Sequence, residues 1–138
     1  MAASLLLDTC ALIWIANGDP MGEEAMEAIR GAESNLDPIH ISPISAWEIA
    51  TLSARGRLRL TSTPETWFGR VLDTRAARLD ELSVTILIRS AFLPGEPPAD
   101  PADRMIIATA RENGRTVVTR DRRILAYAEQ GLVAALRC

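Results

Sequence analysis

Along this chain short apolar runs alternate with stretches of helical spacing. "SLLLD" at 4–8, "PIHIS" at 38–42, "LSVTIL" at 82–87, "TVVT" at 116–119 and "LVAAL" at 132–136 are apolar or β-branched runs of strand length. Between them apolar residues return every three or four positions. "TCALIWIANGD" follows the first run and is closed by Gly18 and Pro20. "GEEAMEAIRGAES" at 22–34 sets Ala25, Met26, Ile29 and Ala32 on one face behind acids in the first turn. "PISAWEIATLSARGRLRL" at 43–60 predicts a helix with Ile44, Trp47, Ile49, Ala50 and Leu52 as its apolar face. "STPETWFGRVLDTRAARL" at 62–79 opens on Ser/Thr–Pro–Glu, a helix-start signal. "IRSAFLP" at 88–94, "ADRMIIATARENG" at 102–114 and "DRRILAYAEQG" at 121–131 complete the helices, and "PGEPPADP" at 94–101 is the most loop-like segment. Strands alternating with helices predict an α/β fold with a mostly parallel sheet. Without repeats, low-complexity tracts or an internal linker, residues 1–138 are expected to form one domain.

Composition changes that picture little, but charge narrows it. An apolar fraction of 48% with 24% charged residues is ordinary for a globular chain. No apolar run reaches the roughly 18 residues of a membrane span. "MAASLLLDTCALIWIANGD" lacks a basic leading region and is interrupted early by Asp8, unlike a signal peptide. Cys10 and Cys138 offer neither metal spacing nor a disulfide framework, so a reducing cytoplasm is the expected location. The net charge of −3 argues against coating nucleic acid by bulk charge. Every basic residue except His40 is arginine; the absence of lysine removes P-loop, Schiff-base and lysine-dependent phosphotransfer chemistry.

The candidate chemistry lies in carboxylates. In an open α/β sheet, ligands bind beyond the carboxyl ends of the strands. Four acids fall at such places: Asp8 after the first strand, Glu48 early in the helix after the second, Asp103 in the first turn after the proline loop, and Asp121 after "TVVT". Each has a structural alternative. Asp8 and Asp121 could cap helices, Ser45–Ala46–Trp47–Glu48 matches a capping box, and Asp100 before Pro101 suits an N-cap with Asp103 as its third-position acid. Taken together the acids are harder to explain as caps. Unit charges about 4 Å apart repel by roughly 4 kcal/mol at an effective dielectric of 20, a large share of a typical stability of about 5–15 kcal/mol. Such a cluster calls for protons or a cation. With oxygen ligands only, the fitting ions are hard ones, Mg²⁺ or Mn²⁺, suited to phosphodiester hydrolysis.

The order "LLLDTCALIW", "ISPISAWEIATLSARGRLRL", "DPADRMIIATA", "TVVTRD" resembles the PIN-domain ribonucleases and, more closely, the VapC-type toxins of prokaryotic toxin–antitoxin pairs, over nearly the whole chain. The resemblance implies a three-layer α/β/α sandwich whose acidic pocket uses Mg²⁺ or Mn²⁺ to hydrolyse RNA. It implies Asp8, Glu48, Asp103 and Asp121 as the catalytic acids, Asp8 and Asp103 as direct metal ligands, and Thr119 as a hydroxyl directed into the pocket. Asp100 is expected as a cap in a supporting place. The resemblance also implies a homodimer or a hetero-oligomer with a small antitoxin. Two departures stand out: Cys10 where relatives often carry histidine, and a loop, "LPGEPPA", without a basic residue.

Cys10 is expected to pack in the core, His40 to be a structural histidine, and Trp14, Trp47 and Trp67 to pack in the core or a dimer contact. Arg55, Arg57, Arg59, Arg104 and Arg120 are candidates for RNA or antitoxin contact, since the guanidinium fork binds two phosphate oxygens; for the first three a solvated face or an antitoxin-facing surface is an equal reading. Two other functions compete with a ribonuclease. A non-catalytic RNA- or partner-binding module keeps the fold without the chemistry. A phospho-acceptor domain would want a pocket lysine, and the chain has none.

Overall fold

The computed structural model describes residues 4–74 and 76–138. Its elements run β1 (Leu5–Leu7), α1 (Thr9–Asn17), α2 (Glu23–Ser34), β2 (Ile39–Ile41), α3 (Pro43–Ala54), α4 (Pro64–Asp73), β3 (Ala77–Leu79), α5 (Val84–Ala91), α6 (Pro101–Asn113), β4 (Thr116–Thr119), α7 (Arg122–Glu129) and β5 (Ala134–Arg137). The strands form one sheet in the order β3-β2-β1-β4-β5, every neighbouring pair parallel. The chain builds outward from β1 to β3 and then crosses back to β4, so the strand order reverses between β1 and β4. That reversal opens a crevice at the carboxyl ends of those two strands.

The three leucines of β1 explain the uninterrupted apolar run: the central strand is covered on both sides. Leu5 and Leu7, with Ile41 and Val118, meet Ala11, Leu12, Ile29, Ile49 and Phe68 from α1 to α4. Leu6 and Val117 face the other way, onto Ile106, Ile107, Ile124 and Tyr127 of α6 and α7. Helices on both faces make the α/β/α sandwich that the resemblance implied. Each fully buried leucine or isoleucine contributes about 1.5–3 kcal/mol.

Two element assignments are corrected. "LSVTIL" is not a strand: Ser83 caps a helix there, its Oγ accepting from the Ile86 N–H at 3.1 Å. Ile86 and Ser90, four apart, point inward while Val84, Leu87 and Ile88 stay exposed. The β-branched composition suggested a strand, whereas the burial is helical. The third strand lies instead at Ala77–Leu79, at the end of the stretch expected as one helix over 62–79; Arg75, within that stretch, lies outside the described residues. As an edge strand β3 is only partly covered, and the three residues of "ARL" are too short a run to reveal it. The helix expected to continue to residue 60 ends at Ala54, where Gly56 takes a left-handed φ of 70°.

A buried polar cluster lies where the chain leaves β3. Arg115 donates from Nε and Nη2 to the two oxygens of Asp80 at 3.1 and 2.8 Å, and from Nη1 to Ser4 Oγ at 2.9 Å. His40 Nδ1 lies 3.0 Å from Asp80 Oδ1 without hydrogen-bond alignment. Burial lowers the His40 pKa, with Asp80 opposing the shift.

A candidate acidic site at the sheet's carboxyl edge

Asp8 follows β1 directly and is the N-cap of α1. Its Oδ1 accepts the Ala11 N–H at 2.8 Å and its Oδ2 accepts the Thr119 hydroxyl at 2.5 Å. Thr119, the last residue of β4 and fully buried, also accepts the Asp121 N–H at 2.9 Å. Asp121 in turn caps α7, accepting from the Arg123 and Ile124 N–H groups at 2.8 and 3.4 Å. One hydroxyl therefore ties the tips of the two strands that flank the crevice.

Glu48 does not form the capping box its sequence suggested. Ser42 caps α3 instead, accepting the Ile44 N–H at 3.2 Å. That sets Glu48 one turn further in, where its Oε1 accepts the Thr9 hydroxyl at 2.5 Å. Ser45, fully buried, lies 2.9 Å from the same Thr9 oxygen. Asp100 is the N-cap of α6, its Oδ2 accepting the Asp103 N–H at 3.1 Å. The Asp103 carboxylate itself receives no hydrogen bond among the described residues.

The electrostatics follow from this crowding. Asp103 is raised to about 7, by burial first and then by Asp121, Asp100, Glu48 and Asp8 in turn. Asp8 is raised by burial and by Asp121 against the bonds from Thr119 and Ala11. Glu48 is raised by burial, Asp100, Asp8 and Asp121 against the bond from Thr9. The five acids thus share one field, and the donor set is oxygen throughout, which fits a hard cation. Among the described residues no three Asp, Glu, His or Cys side chains gather closely enough to enclose an ion by themselves. Mg²⁺ commonly takes one or two carboxylates and keeps several waters, so this looser arrangement suits it.

Other expectations change here. Cys10 is exposed rather than in the core; its thiol is pushed up to about 11 by partial burial, then by Asp8, Glu48, Asp121 and Asp103. Of the arginines expected near substrate, two are already engaged. Arg104 donates from Nε to the Pro98 carbonyl at 2.7 Å and from Nη1 to that of Ser90 at 3.4 Å. Arg120 donates from Nε to the Cys138 carbonyl at 2.7 Å and from Nη2 to that of Pro20 at 3.1 Å, and stacks 3.3 Å from the Trp14 ring centroid. Arg55, Arg57 and Arg59 are exposed beyond the end of α3, with Arg55 about 10 Å along the helix from Glu48. Trp14 and Trp67 pack against the core cluster, whereas Trp47 is 62% exposed and not a core residue.

Sequence reasoning passed over Thr9 and Ser45, although one is next to Asp8 and the other begins the quoted box. Their signal is positional and shows only once α1 and α3 are brought together.

Comparison with known proteins agrees with this geometry. Ribonuclease VapC22 of Mycobacterium tuberculosis (strain ATCC 25618 / H37Rv) is 31% identical over 125 residues, covering 90% of this chain and 92% of that protein. A chain in the crystal structure of VapBC2 from Rickettsia felis, bound to a promoter DNA fragment, has the same fold with a TM-score of 0.69 at 14% identity, over 96% of this chain and 97% of that one. A chain of DNA-bound VapBC from Salmonella typhimurium gives 0.67 at 20% identity, over 98% of both. Residues 5–130 match the PIN domain, and the chain belongs to that family.

Proposed function

We propose that residues 1–138 form a single PIN-like nuclease domain, a metal-dependent endoribonuclease that acts as the toxin of a toxin–antitoxin pair. The observation that carries this reading is the shared field of Asp8, Glu48, Asp103 and Asp121 beside the strand reversal, with Asp103 raised to about 7 by burial first and then by its acidic neighbours. The likeness to Ribonuclease VapC22 supports the reaction class, and the likeness to VapBC structures supports an antitoxin partner. Asp8 and Asp103 are the candidate ligands for Mg²⁺ or Mn²⁺. Such an ion, when bound, supplies an activated water and offsets phosphate charge.

The protein's own groups do the rest. Asp8 is held rigid by Ala11 and Thr119, with one lone-pair site left on each oxygen. Asp103, held by no donor among the described residues, is the acid most open to a new partner. Glu48 and Asp121 complete the wall, and Glu48, whose Oε1 is taken by Thr9, offers Oε2 as an acceptor for a water proton. Asp100 supports the site by capping the helix that carries Asp103.

Arg55, Arg57 and Arg59, exposed and set back from the acids, serve RNA or antitoxin outside the reaction centre. RNA as substrate goes with a cytoplasmic location; among the described residues no helix is long and apolar enough to cross a membrane. A homodimer also belongs to this reading. Val84, Ile88 and Phe92, four residues apart, are 72%, 56% and 81% exposed along α5 and its end. A two-fold axis at Ile88 would set each Val84 against the other copy's Phe92.

The test is RNA cleavage by purified protein with Mg²⁺ or Mn²⁺, against Asp8→Asn and Asp103→Asn. Cleavage abolished in both variants is the expected result. Full activity in both would remove the pocket from the reaction, and RNA binding without cleavage by the natural chain would favour the binding module.

A further inference from the structure

We infer that Thr9 is a positioning residue for Glu48, acting with Ser45 as a directional pair of hydroxyls. The inference rests on the ribonuclease reading for its effect on rate and on geometry alone for its effect on position.

Thr9 Oγ1 lies 2.5 Å from Glu48 Oε1 and 2.9 Å from Ser45 Oγ. An ionised carboxylate only accepts, so the single Thr9 proton goes to Glu48. Thr9 Oγ1 then has lone pairs but no proton for Ser45, and the Ser45 hydroxyl must be the donor. The order Ser45 to Thr9 to Glu48 is therefore set by proton count. Thr9 and Ser45 are both buried, so water does not compete for these bonds.

Thr9 is also the first residue of α1, whose cap is Asp8. The helix start that fixes Asp8 through the Ala11 N–H thus fixes Glu48 through the next side chain. Two acids 40 residues apart in sequence are held in one frame by adjacent residues of one turn. On the other side of the crevice Thr119 does the same, taking the Asp121 N–H and giving its proton to Asp8. With Oε1 occupied by Thr9, Oε2 is the Glu48 oxygen left to accept a new partner.

The test compares Thr9→Val, of similar shape but without the hydroxyl, with Thr9→Ser and Ser45→Ala. Thr9→Val is expected to lower kcat by about 10- to 100-fold with little change in KM for RNA, the loss of one hydrogen bond to a charged group. Thr9→Ser should restore most of the rate, and Ser45→Ala should cost less than Thr9→Val. In a Glu48→Ala background, Thr9→Val should cost nothing further, because the residue it acts through is gone. A natural kcat in Thr9→Val, or an equal added loss without Glu48, would overturn the inference. A crystal structure of the Thr9→Val chain reads position without activity. A Glu48 carboxylate turned from its place supports the inference, and an unmoved one overturns it. If the natural protein cleaves no RNA, the ribonuclease reading fails, and the crystal structure still decides what holds Glu48.

Discussion

Replacing Asp103 by asparagine should make the ion-free protein more stable while removing its activity. Asp103 is raised from 3.8 to about 7, so the folded chain holds that proton more tightly than the unfolded chain does. Ionising the buried group then costs stability. The cost is absent below about pH 4, where both states are protonated, grows as pH rises toward 7, and is constant above. About three units at 1.36 kcal/mol each give an upper bound of about 4 kcal/mol. Solvent at the partly exposed carboxylate reduces that figure, and the favourable interaction of an acid with a helix start, about 0.3–1 kcal/mol, is lost on substitution. A net gain of about 1–3 kcal/mol near pH 8 remains. Urea unfolding of both proteins with a chelator present, from about pH 4 to 8, measures it. The gain should appear as pH rises and level off above 7, and millimolar Mg²⁺ should stabilise the natural chain more than the variant. A variant less stable at pH 8, or a gain equal at pH 4 and pH 8, would refute the argument from carboxylate crowding.

Two further outcomes test parts of the fold outside the acidic site. Asp80→Ala strands the half-buried Arg115 guanidinium without its carboxylate and should destabilise the chain by up to about 3 kcal/mol in urea unfolding; cleavage per folded molecule should be unchanged. Ile88→Glu puts a charge at the middle of the exposed α5 stripe and should turn a dimer into a monomer by light scattering, and a dimer that persists would place the contact elsewhere.

How far the sequence could be read depended on whether a signal was local. β1 and β4 were legible because a strand covered on both faces is a short apolar or β-branched run, and "TVVT" coincides with β4 to the residue. α6 was legible because Asp100–Pro101 opens it and Gly114, at a φ of 65°, closes it. β3 was not, because an edge strand half open to solvent needs no apolar pattern. α5 was misread because its exposed residues are β-branched and apolar, and only the inward positions of Ile86 and Ser90 show the helix. Asp8 and Asp121 were legible by one topological rule, that loops after parallel strands share an edge, whereas Asp103 rides on a helix that follows another helix. The hydroxyls that hold them could not be placed that way. Thr9 meets Ser45 and Glu48 only across the packing of α1 on α3, and no local pattern encodes that contact. Arg104 and Arg120 looked free for the same reason, since their partners are backbone carbonyls of distant segments.

The competition between capping and chemistry, open for every acid in the sequence, resolves differently at each position. Asp8 and Asp121 cap helices, yet a carboxylate has about four acceptor sites, and capping uses only one oxygen of each. Capping therefore orients these two without consuming them. At the other two positions a neighbour caps instead. Ser42 takes the start of α3, so Glu48 is free to receive Thr9; Asp100 takes the start of α6, so the Asp103 carboxylate meets no donor among the described residues. The least satisfied acid is thus one raised by burial first and then by its four acidic neighbours, and it sits in the first turn of a helix whose start is already served. A set of carboxylates selected for helix stability alone would put its strongest acceptor where the free N–H groups are. Here the free acceptor lies within the field of the other four acids, which supports the proposed cation site.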